Sequence, residues 1–411
     1  MIIIQDKTDC CGCSSCEQVC PANCIVMAED KEGFLFPQVN VDMCVDCGAC
    51  ERVCPIIHAT DIQPVELVGT FDTPKAIGGW IKDEEVRADS SSGGAFTLFA
   101  NYILASGGIV YGASLCEDMV VRHICVENTK DLTMLRGSKY VQSTIGVVYS
   151  KIKDDIQTGR KILFSGTPCQ VAGLYSFLGN RKYSDLYTVD FICHGTPSPK
   201  VFSEYVKYIE RKYDSKIKNF RFRLKDHSWN PSGLQLGTGI ELDNGKFIRN
   251  FPAFNDPFMN GFLDDSFLRE SCYNCRFKCL PKVYADITIA DFWGVTNHYP
   301  ELNDRKGTSL VLFNGEHGEK LFEDVKEGFY YKVVDFNKAI QKNPTLMKSA
   351  KKNVRRYKFF RDFQNKSFEY LMLRYMNPFI WGIHTASKIS LKLIQKTKKT
   401  VINCALKKLH I

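Results

Sequence analysis

The spacing of the cysteines constrains this chain more than any other feature. The pattern CxxCxxCxxxCP occurs twice near the amino terminus. The first copy contains Cys10, Cys13, Cys16 and Cys20, and the second contains Cys44, Cys47, Cys50 and Cys54. Three thiolates two residues apart wrap one 4Fe-4S cubane, and the fourth cysteine of each copy ligates the other cluster. The repeat therefore predicts a ferredoxin-type domain with two 4Fe-4S clusters over residues 1–60.

This rule also predicts which cysteines share a cluster. One set is Cys10, Cys13, Cys16 and Cys54, and the other is Cys44, Cys47, Cys50 and Cys20. A pair of structural zinc sites is the alternative, but zinc sites rarely repeat four cysteines with a terminal proline. Cys11 and Cys24 lie off the pattern and are interpreted as buried fillers without a ligand role. The segment around Gly33 predicts a small hairpin between the repeats.

Composition limits the remaining possibilities. The chain has 411 residues, which suggests two or three domains. No secretory signal and no apolar stretch of about 18 residues occurs, so we expect a cytoplasmic protein. In a reducing compartment the 18 cysteines are expected to be metal ligands or catalytic thiols, not disulfides.

A linker is predicted at 61–75, followed by a mixed α/β region over 76–345. KAIGGWI is a strand candidate, and a helix and another strand follow the run Ser90-Ser91-Ser92-Gly93-Gly94. Serines and glycines at a helix start either receive a phosphate or simply cap the helix. We weigh the two equally. The chain lacks GxGxxG, which argues against an ordinary Rossmann site.

Four more cysteines fall near predicted strand ends. Cys169 and Cys193 each follow a short apolar strand, at the edge where open α/β sheets bind ligands, and Cys272 and Cys275 lie in a polar loop. Together they supply the thiolates for a third cluster or for a zinc ion, and spacing does not choose between the two. The spare cysteine of this segment is Cys279, while Cys116, Cys125 and Cys404 are interpreted as core or surface residues.

His194 directly follows Cys193 and is a candidate proton donor near a redox centre. A lone histidine is more often simply hydrogen-bonded in place, and we favour that interpretation.

Taken in order, these segments resemble the beta-subunit family of the coenzyme F420 (deazaflavin) hydrogenases and dehydrogenases, which includes a plant chlorophyll-cycle reductase. The likeness covers about residues 76–345. It depends on SSSGGAFTLFANYIL, GGIVYGASL, LRGSKYVQST, GTPCQVAG, ICHGTPSP and CYNCRF followed by ADITIADFWG.

The resemblance implies FAD bound without a Rossmann motif, beside a 4Fe-4S cluster held by the residues that match Cys169, Cys193, Cys272 and Cys275. It also implies flavin contacts from Ser92, Gly93, Gly94, Lys139, Tyr140, Gln142 and Ser143. A flavin exchanges electrons singly with clusters and in pairs with a hydride donor or acceptor. The implied partners are a ferredoxin or another redox subunit and a small-molecule hydride donor or acceptor, with reduced coenzyme F420 as one candidate.

Two basic segments complete the chain. Arg221, Arg223, Lys225 and His227 either bind an anion or form the polar face of a strand pair, which we slightly favour. Residues 346–411 predict a basic tail of two amphipathic helices broken near Asn377 and Pro378. Its candidate roles are a helical cap, a docking face for an acidic ferredoxin, and a peripheral contact with the inner membrane face through Phe379, Ile380 and Trp381. No nucleic-acid motif accompanies the charge, so nucleic acid is not an expected partner.

The predicted fold class is thus a multidomain α+β protein: a ferredoxin-like domain, a mixed α/β flavin and iron-sulfur domain, and a basic helical tail. The predicted function is an iron-sulfur flavoprotein oxidoreductase. The main alternative is an electron-carrier subunit without a substrate of its own. A redox-sensing binding protein is a third, less favoured hypothesis.

Overall fold

The structure, a computed structural model, describes residues 1–58, 71–225, 229, 230, 232, 236–278 and 284–376. Several predicted features therefore lie outside the described residues. They are most of the linker, His227, Cys279, Cys404 and the tail beyond Met376, with Asn377, Pro378, Phe379, Ile380 and Trp381.

Within the described residues the strands are β1 Ile25–Glu29, β2 Leu35–Val39, β3 Lys75–Ile81, β4 Ile109–Leu115, β5 Val121–Val126, β6 Ile162–Ser165, β7 Leu186–Phe191, β8 Ile217–Leu224, β9 Gly237–Leu242, β10 Phe247–Asn250, β11 Ile287–Asp291, β12 Ser309–Phe313 and β13 Phe329–Val334. The α-helices are α1 Ser15–Val19, α2 Ala49–Arg52, α3 Glu84–Asp89, α4 Ala95–Ala105, α5 Val148–Ile156, α6 Pro168–Phe177, α7 Pro199–Tyr213, α8 Pro257–Leu263, α9 Glu316–Val325, α10 Phe336–Ala339, α11 Arg356–Phe363 and α12 Phe368–Tyr375. None of these helices has the length and apolar composition needed to cross a bilayer.

The amino-terminal domain shows the duplication of its sequence. In each repeat a short helix, α1 or α2, begins between the second and third cysteine, after a residue in the left-handed conformation. That residue is Ser14 (φ 63°) in the first repeat and Gly48 (φ 67°) in the second. The predicted hairpin connects the repeats, with β1 antiparallel to β2 and Gly33 at φ 86° in the turn.

The large domain is built on one eight-stranded sheet with the order β13-β3-β12-β11-β7-β6-β4-β5. The neighbours β4, β6, β7 and β11 are parallel, and the other pairs are antiparallel. The carboxyl ends of the four parallel strands meet at one edge of the sheet. This edge carries the segments that contain Cys169 and Cys193.

Helices cover both faces of this sheet. On one face α4 and α9 pack in a core that includes Phe99, Leu163 and Phe322. On the other, α5 and α6 pack with Tyr149 and Phe164. A second sheet, in the order β10-β9-β8, packs with α7 and α8 in a separate aromatic core. The described residues thus form a mixed α/β protein with a ferredoxin-like domain at the amino terminus.

The described part of the tail packs on that aromatic core. Helices α11 and α12 bury Phe359, Phe360, Leu371 and Tyr375 in it. Residues 364–367 separate these two helices, whereas the sequence predicted a break near Asn377 and Pro378. Up to Met376 the tail is therefore a cap on the protein.

The turn of the β1–β2 hairpin docks into the large domain. The Ser198 hydroxyl, at the start of α7, donates to the Glu32 carbonyl at 2.5 Å. The Arg356 guanidinium pairs with the Glu32 carboxylate at 2.6 Å, and Gln364 donates to the Lys31 carbonyl at 2.7 Å. At Gly33 an added Cβ would lie 2.2 Å from Lys200 Cβ. The turn thus fits against α7 without room for a side chain.

Gly33→Ala and Gly245→Ala form a matched pair. Both glycines have positive φ, 86° and 81°, but an added Cβ at Gly245 meets nothing within 4 Å. We expect each alanine to lose about 1–2 kcal/mol for the left-handed backbone. Gly33→Ala should lose about 1–3 kcal/mol more because of overpacking. Melting temperature and the rate of proteolytic release of the amino-terminal domain measure the difference. Equal losses would show that the turn is not tightly docked.

Candidate functional site

The inner set of cysteines, Cys10, Cys13, Cys16 and Cys54, lies in the interior of the ferredoxin-like domain. All four are buried, with exposures of 8–9%. The charges of the other three all act on Cys16, so the four thiols are close neighbours. Burial raises the pKa of Cys54 to about 11. Because burial disfavours a bare thiolate, this set suits a metal that supplies positive charge.

The outer set, Cys20, Cys44, Cys47 and Cys50, lines a cavity of about 330 Å³, together with Cys24. The Sγ atoms of Cys20 and Cys24 are 3.3 Å apart. Cys50 is buried, whereas Cys47 is exposed. The outer set therefore lies at the surface of the protein. Each of the two predicted ligand sets is brought together in its own volume.

The third set, Cys169, Cys193, Cys272 and Cys275, lines a larger cavity of about 900 Å³ that includes its open mouth. This cavity lies at the carboxyl edge of the large sheet and borders the ferredoxin-like domain, since Cys11 and Ile56 also line it. The charges of the other three cysteines all act on Cys193.

Local structure explains the positions of Cys169 and Cys193. Pro168 and Cys169 form the first turn of α6, where proline costs nothing because the first helical N–H has no intrahelical partner. Thr167 and Gln170 close a capping box around this turn. The predicted loop around Cys169 is therefore a helix start. Cys193 follows the end of β7 by two residues, as the strand pattern predicted.

Cys272 and Cys275 come from a short 3-10 helix, Glu270–Asn274, and the residue after it. The backbone N–H of Thr196 donates to Cys272 Sγ at 3.4 Å. In the described part of the chain, no three His, Cys, Asp or Glu side chains are close enough to hold one metal ion. The cysteines line the wall of the cavity and do not converge on a point.

Arg269 connects the inner set to this cavity. Its guanidinium donates to the Cys10 carbonyl at 2.8 Å, to Cys10 Sγ at 3.3 Å and to Gln142 Oε1 at 3.2 Å. Gln142 in turn donates to the Cys11 carbonyl at 3.1 Å. The Cys11 thiol lies beside those of Cys13 and Cys169. These contacts join two cysteine sets across the boundary between the domains.

Two acid or base groups also line the third cavity. His194 Nε2 lies 2.5 Å from Asp265 Oδ1, and its ring packs edge-on against Phe262. The histidine is thus hydrogen-bonded in place, the interpretation that the sequence favoured. Asp190 at the end of β7 is 1% exposed, and burial raises its pKa to about 7.

The two segments predicted to contact flavin lie together. The backbone N–H of Ser138 donates to Ser91 Oγ at 2.8 Å. Lys225 donates to the Ser92 carbonyl at 2.7 Å. Tyr140 stacks on Phe262 with ring centroids 4.9 Å apart.

The predicted flavin residues differ in where they lie relative to the third cavity. Ser92 Oγ donates to the Thr308 carbonyl, while Gly93 leaves no room for a Cβ beside the Gly79 carbonyl. Gln142 lines the third cavity, and Ser143 accepts a hydrogen bond from Gln170, which also lines it. The remaining predicted flavin residues, Ser92, Gly93, Gly94, Lys139, Tyr140 and Ser143, are not among the residues that line this cavity.

One local interpretation was wrong. No serine caps α4, because its N-cap is Gly94 at φ 85°, which has no side chain to bond with. Arg223 lies on the polar face of the β8–β9 pair but is largely buried. Its side chain is 5% exposed and pairs with Asp291 at 2.6 Å, although Arg221 on the same strand is exposed.

Sequence reasoning missed Arg269, Asp190 and the role of Cys11 as a lining residue. Each is recognisable only through contacts with residues that are distant in sequence. The Arg269 bond to the Cys10 carbonyl, for example, spans 259 residues. No local pattern distinguishes this arginine from the others in the chain.

Comparison with known proteins adds two family matches and a likeness to solved structures. Residues 159–339 match the carboxyl-terminal region of the family described as coenzyme F420 hydrogenase/dehydrogenase, beta subunit. Residues 9–56 match the 4Fe-4S dicluster domain. The comparison with curated proteins gives no match.

Among solved structures, the F420-reducing NiFe hydrogenase complex from Methanosarcina barkeri is similar to this chain. The likeness covers 68% of this chain and 92% of that chain at 16% identity, with a TM-score of 0.42, which is too low to support an argument. The family matches agree with the resemblance seen in the motifs. Residues 9–56 are therefore similar to 4Fe-4S dicluster domains, and residues 159–339 are similar to the carboxyl-terminal region of the coenzyme F420 hydrogenase/dehydrogenase beta subunit family.

Proposed function

We propose that this iron-sulfur oxidoreductase-type subunit is a flavoprotein that passes electrons between a ferredoxin-like carrier or partner subunit and a two-electron hydride substrate. Three 4Fe-4S clusters and FAD provide the route, and reduced coenzyme F420 is a candidate substrate. The observation that carries the proposal is the third cavity. Its four cysteines face one volume at the ligand-binding edge of the sheet, directly beside the inner set.

The donor set of the third cavity favours a cluster over zinc. One zinc ion draws four ligands to within about 2.3 Å of a single point. A cubane instead spreads its thiolates around its outside. The four cysteines line one cavity and, among the described residues, no three metal-ligating side chains converge on one point, which fits the second arrangement. Cys169, Cys193, Cys272 and Cys275 would hold this cluster.

The three cysteine sets follow one another through the molecule. The outer set is partly exposed at Cys47, the inner set is buried, and the third set borders the inner one through Cys11. Electrons from a partner that docks near the outer set would thus pass through the protein interior to the third set. Clusters of this type transfer one electron at a time, with potentials set by charge, hydrogen bonds and exposure.

The residues around Ser91 and Ser138 suit an anionic cofactor such as FAD. Buried nitrogens without a hydrogen-bond partner in the described residues include His123 Nδ1, Arg136 Nε and Arg223 Nε. Burial lowers the pKa of Lys139 to about 7, so an adjacent phosphate would stabilise its charged form. Bound FAD supplies the exchange between paired and single electrons.

His194 is placed to exchange a proton at the third cavity. Asp265 holds its Nε2 atom, and the residue lines the cavity with a side chain that is 35% exposed. A histidine fixed by a carboxylate keeps its ring orientation while a proton moves. We propose that it balances charge as electrons arrive.

The direct test adds reduced coenzyme F420 to the anaerobic holoprotein and follows visible bleaching of the clusters. We expect the clusters to become reduced only in preparations that contain FAD. Bleaching by another hydride donor, such as NADH, would support the proposed mechanism but identify a different substrate. Clusters that no hydride donor reduces, in protein that contains FAD, would contradict the proposal and favour a carrier subunit.

The cluster count is tested through iron. We expect about twelve iron atoms per chain after anaerobic reconstitution, four for each cluster. Cys169→Ala and Cys275→Ala should each leave about eight, because the amino-terminal pair is spared. Cys125→Ala, at an exposed cysteine of β5, is the control and should keep the wild-type content. Unchanged iron content in both cavity variants would contradict the proposal of a third cluster.

Lys139→Gln tests the flavin segment. A hydrogen bond to a charged group contributes about 1.5–3 kcal/mol, so FAD affinity should fall about 10- to 100-fold. Iron content should not change. Lys151→Gln, at an exposed position of α5, is the control and should retain FAD. Equal FAD affinity in both variants would place the cofactor elsewhere.

A further inference from the structure

Arg269 has the surroundings of a charge that lacks its counter-charge. The side chain is 1% exposed. Its donors reach the Cys10 carbonyl, Cys10 Sγ, the Leu35 carbonyl at 3.0 Å and the Gln142 side chain. The guanidinium also lies over the Phe36 ring, 4.3 Å from its centroid. All of these partners except the thiol of Cys10 stay uncharged.

The other buried arginines are paired. Arg87 forms an ion pair with Asp304 at 2.6 Å, and Arg356 pairs with Glu32 at 2.6 Å and with Glu270 at 2.8 Å. Among the described residues, Arg269 has no carboxylate within 4.0 Å, the distance limit for an ion pair. A buried cation without a compensating charge costs several kcal/mol. The fold retains this one at the junction of two cysteine sets.

The cysteines themselves can provide the missing charge. Four thiolates around a 4Fe-4S core outweigh its positive charge, so each complete cluster is an anion. Arg269 Nη2 lies 3.3 Å from Cys10 Sγ, and the guanidinium also acts electrostatically on Cys13, Cys169 and Cys272. Two of these residues belong to the inner set and two to the third set.

We propose that Arg269 is the shared counter-charge of the inner and third clusters and is a positioning residue that raises their reduction potentials. The part that concerns the third cluster rests on the proposed function. The part that concerns the inner cluster needs only the dicluster domain. Reduction adds one electron and no proton to a cluster that is already anionic. A fixed cation next to a cluster ligand favours that added charge and reduces the repulsion from the neighbouring cluster.

The test is an EPR-monitored redox titration of the full-length, anaerobically reconstituted protein. Its variants are Arg269→Gln, which removes the charge, and Arg269→Lys, which keeps it. Comparison with Cys47→Ala protein and with Cys275→Ala protein, which lack one ligand of the outer set and of the third set, assigns the inner signal. At a fixed ambient potential, the ratio of reduced to oxidised inner cluster should fall at least tenfold in the glutamine variant. A tenfold change corresponds to about 59 mV for one electron. The lysine variant should change less than threefold.

Arg356→Gln is the matched control. Arg356 is also buried and also joins the two domains, but its partners are carboxylates and it is not among the residues that line the third cavity. We expect an unchanged ratio in this variant. An unchanged ratio in Arg269→Gln, or an equal fall in Arg356→Gln, would overturn the proposal.

The remaining outcomes are also decisive. If the Arg269→Gln protein loses its clusters, the iron content and the reduced-to-oxidised ratio are measured in the lysine variant instead. Normal iron and a normal ratio in that variant would support the charge role, whereas loss of iron would leave Arg269 with a steric role alone. A wild-type protein with about eight iron atoms would remove the third cluster. The titration of the inner cluster would still be valid, so failure of this inference and failure of the proposed function are distinguishable.

Discussion

Burial of cysteine thiols is the constraint on which the rest of this structure depends. Water stabilises a thiolate, and the inner set lies where water is largely excluded. Burial there raises the pKa values of Cys10, Cys16 and Cys54 and so favours their neutral thiols until a metal supplies positive charge. An amino-terminal domain this small also has little apolar surface to bury by itself. Metal binding is therefore expected to stabilise the folded form of this domain.

The boundary between the domains combines apolar packing with polar contacts. Phe34 of the hairpin lies in the aromatic core of the large domain, 6.4 Å from the ring centroid of Phe360. Ser15 donates to the Gly173 carbonyl in α6 at 2.9 Å. The second contact fixes the helix that carries Cys169 against the helix that carries Cys16. Contacts that hold the domains together are thus the same ones that set the distance between cysteine sets.

Much of this arrangement is encoded locally. The cysteine repeat, the hairpin at Gly33 and the positions of Cys169 and Cys193 after short apolar strands could all be predicted, because spacing and periodicity express them directly. The start of α4 could not, since Gly94 caps it with backbone conformation and no side chain. The ion pair of Arg223 could not be predicted either, because its partner Asp291 lies on another strand that sequence alone does not place beside it. Contacts across the domain boundary, Arg269 above all, arise only when the chain has folded.

The docked hairpin has a consequence for how electrons leave or enter the protein. Many redox enzymes move a tethered carrier domain between two stations. Here the turn at Gly33 fits against α7 without space for a side chain, and Glu32 is bonded to both Ser198 and Arg356. The ferredoxin-like domain is therefore held in one position against the large domain and does not move as a tethered carrier. Under the proposed function, exchange with the outside therefore depends on the arrival and departure of another molecule at the outer set, where Cys47 is exposed.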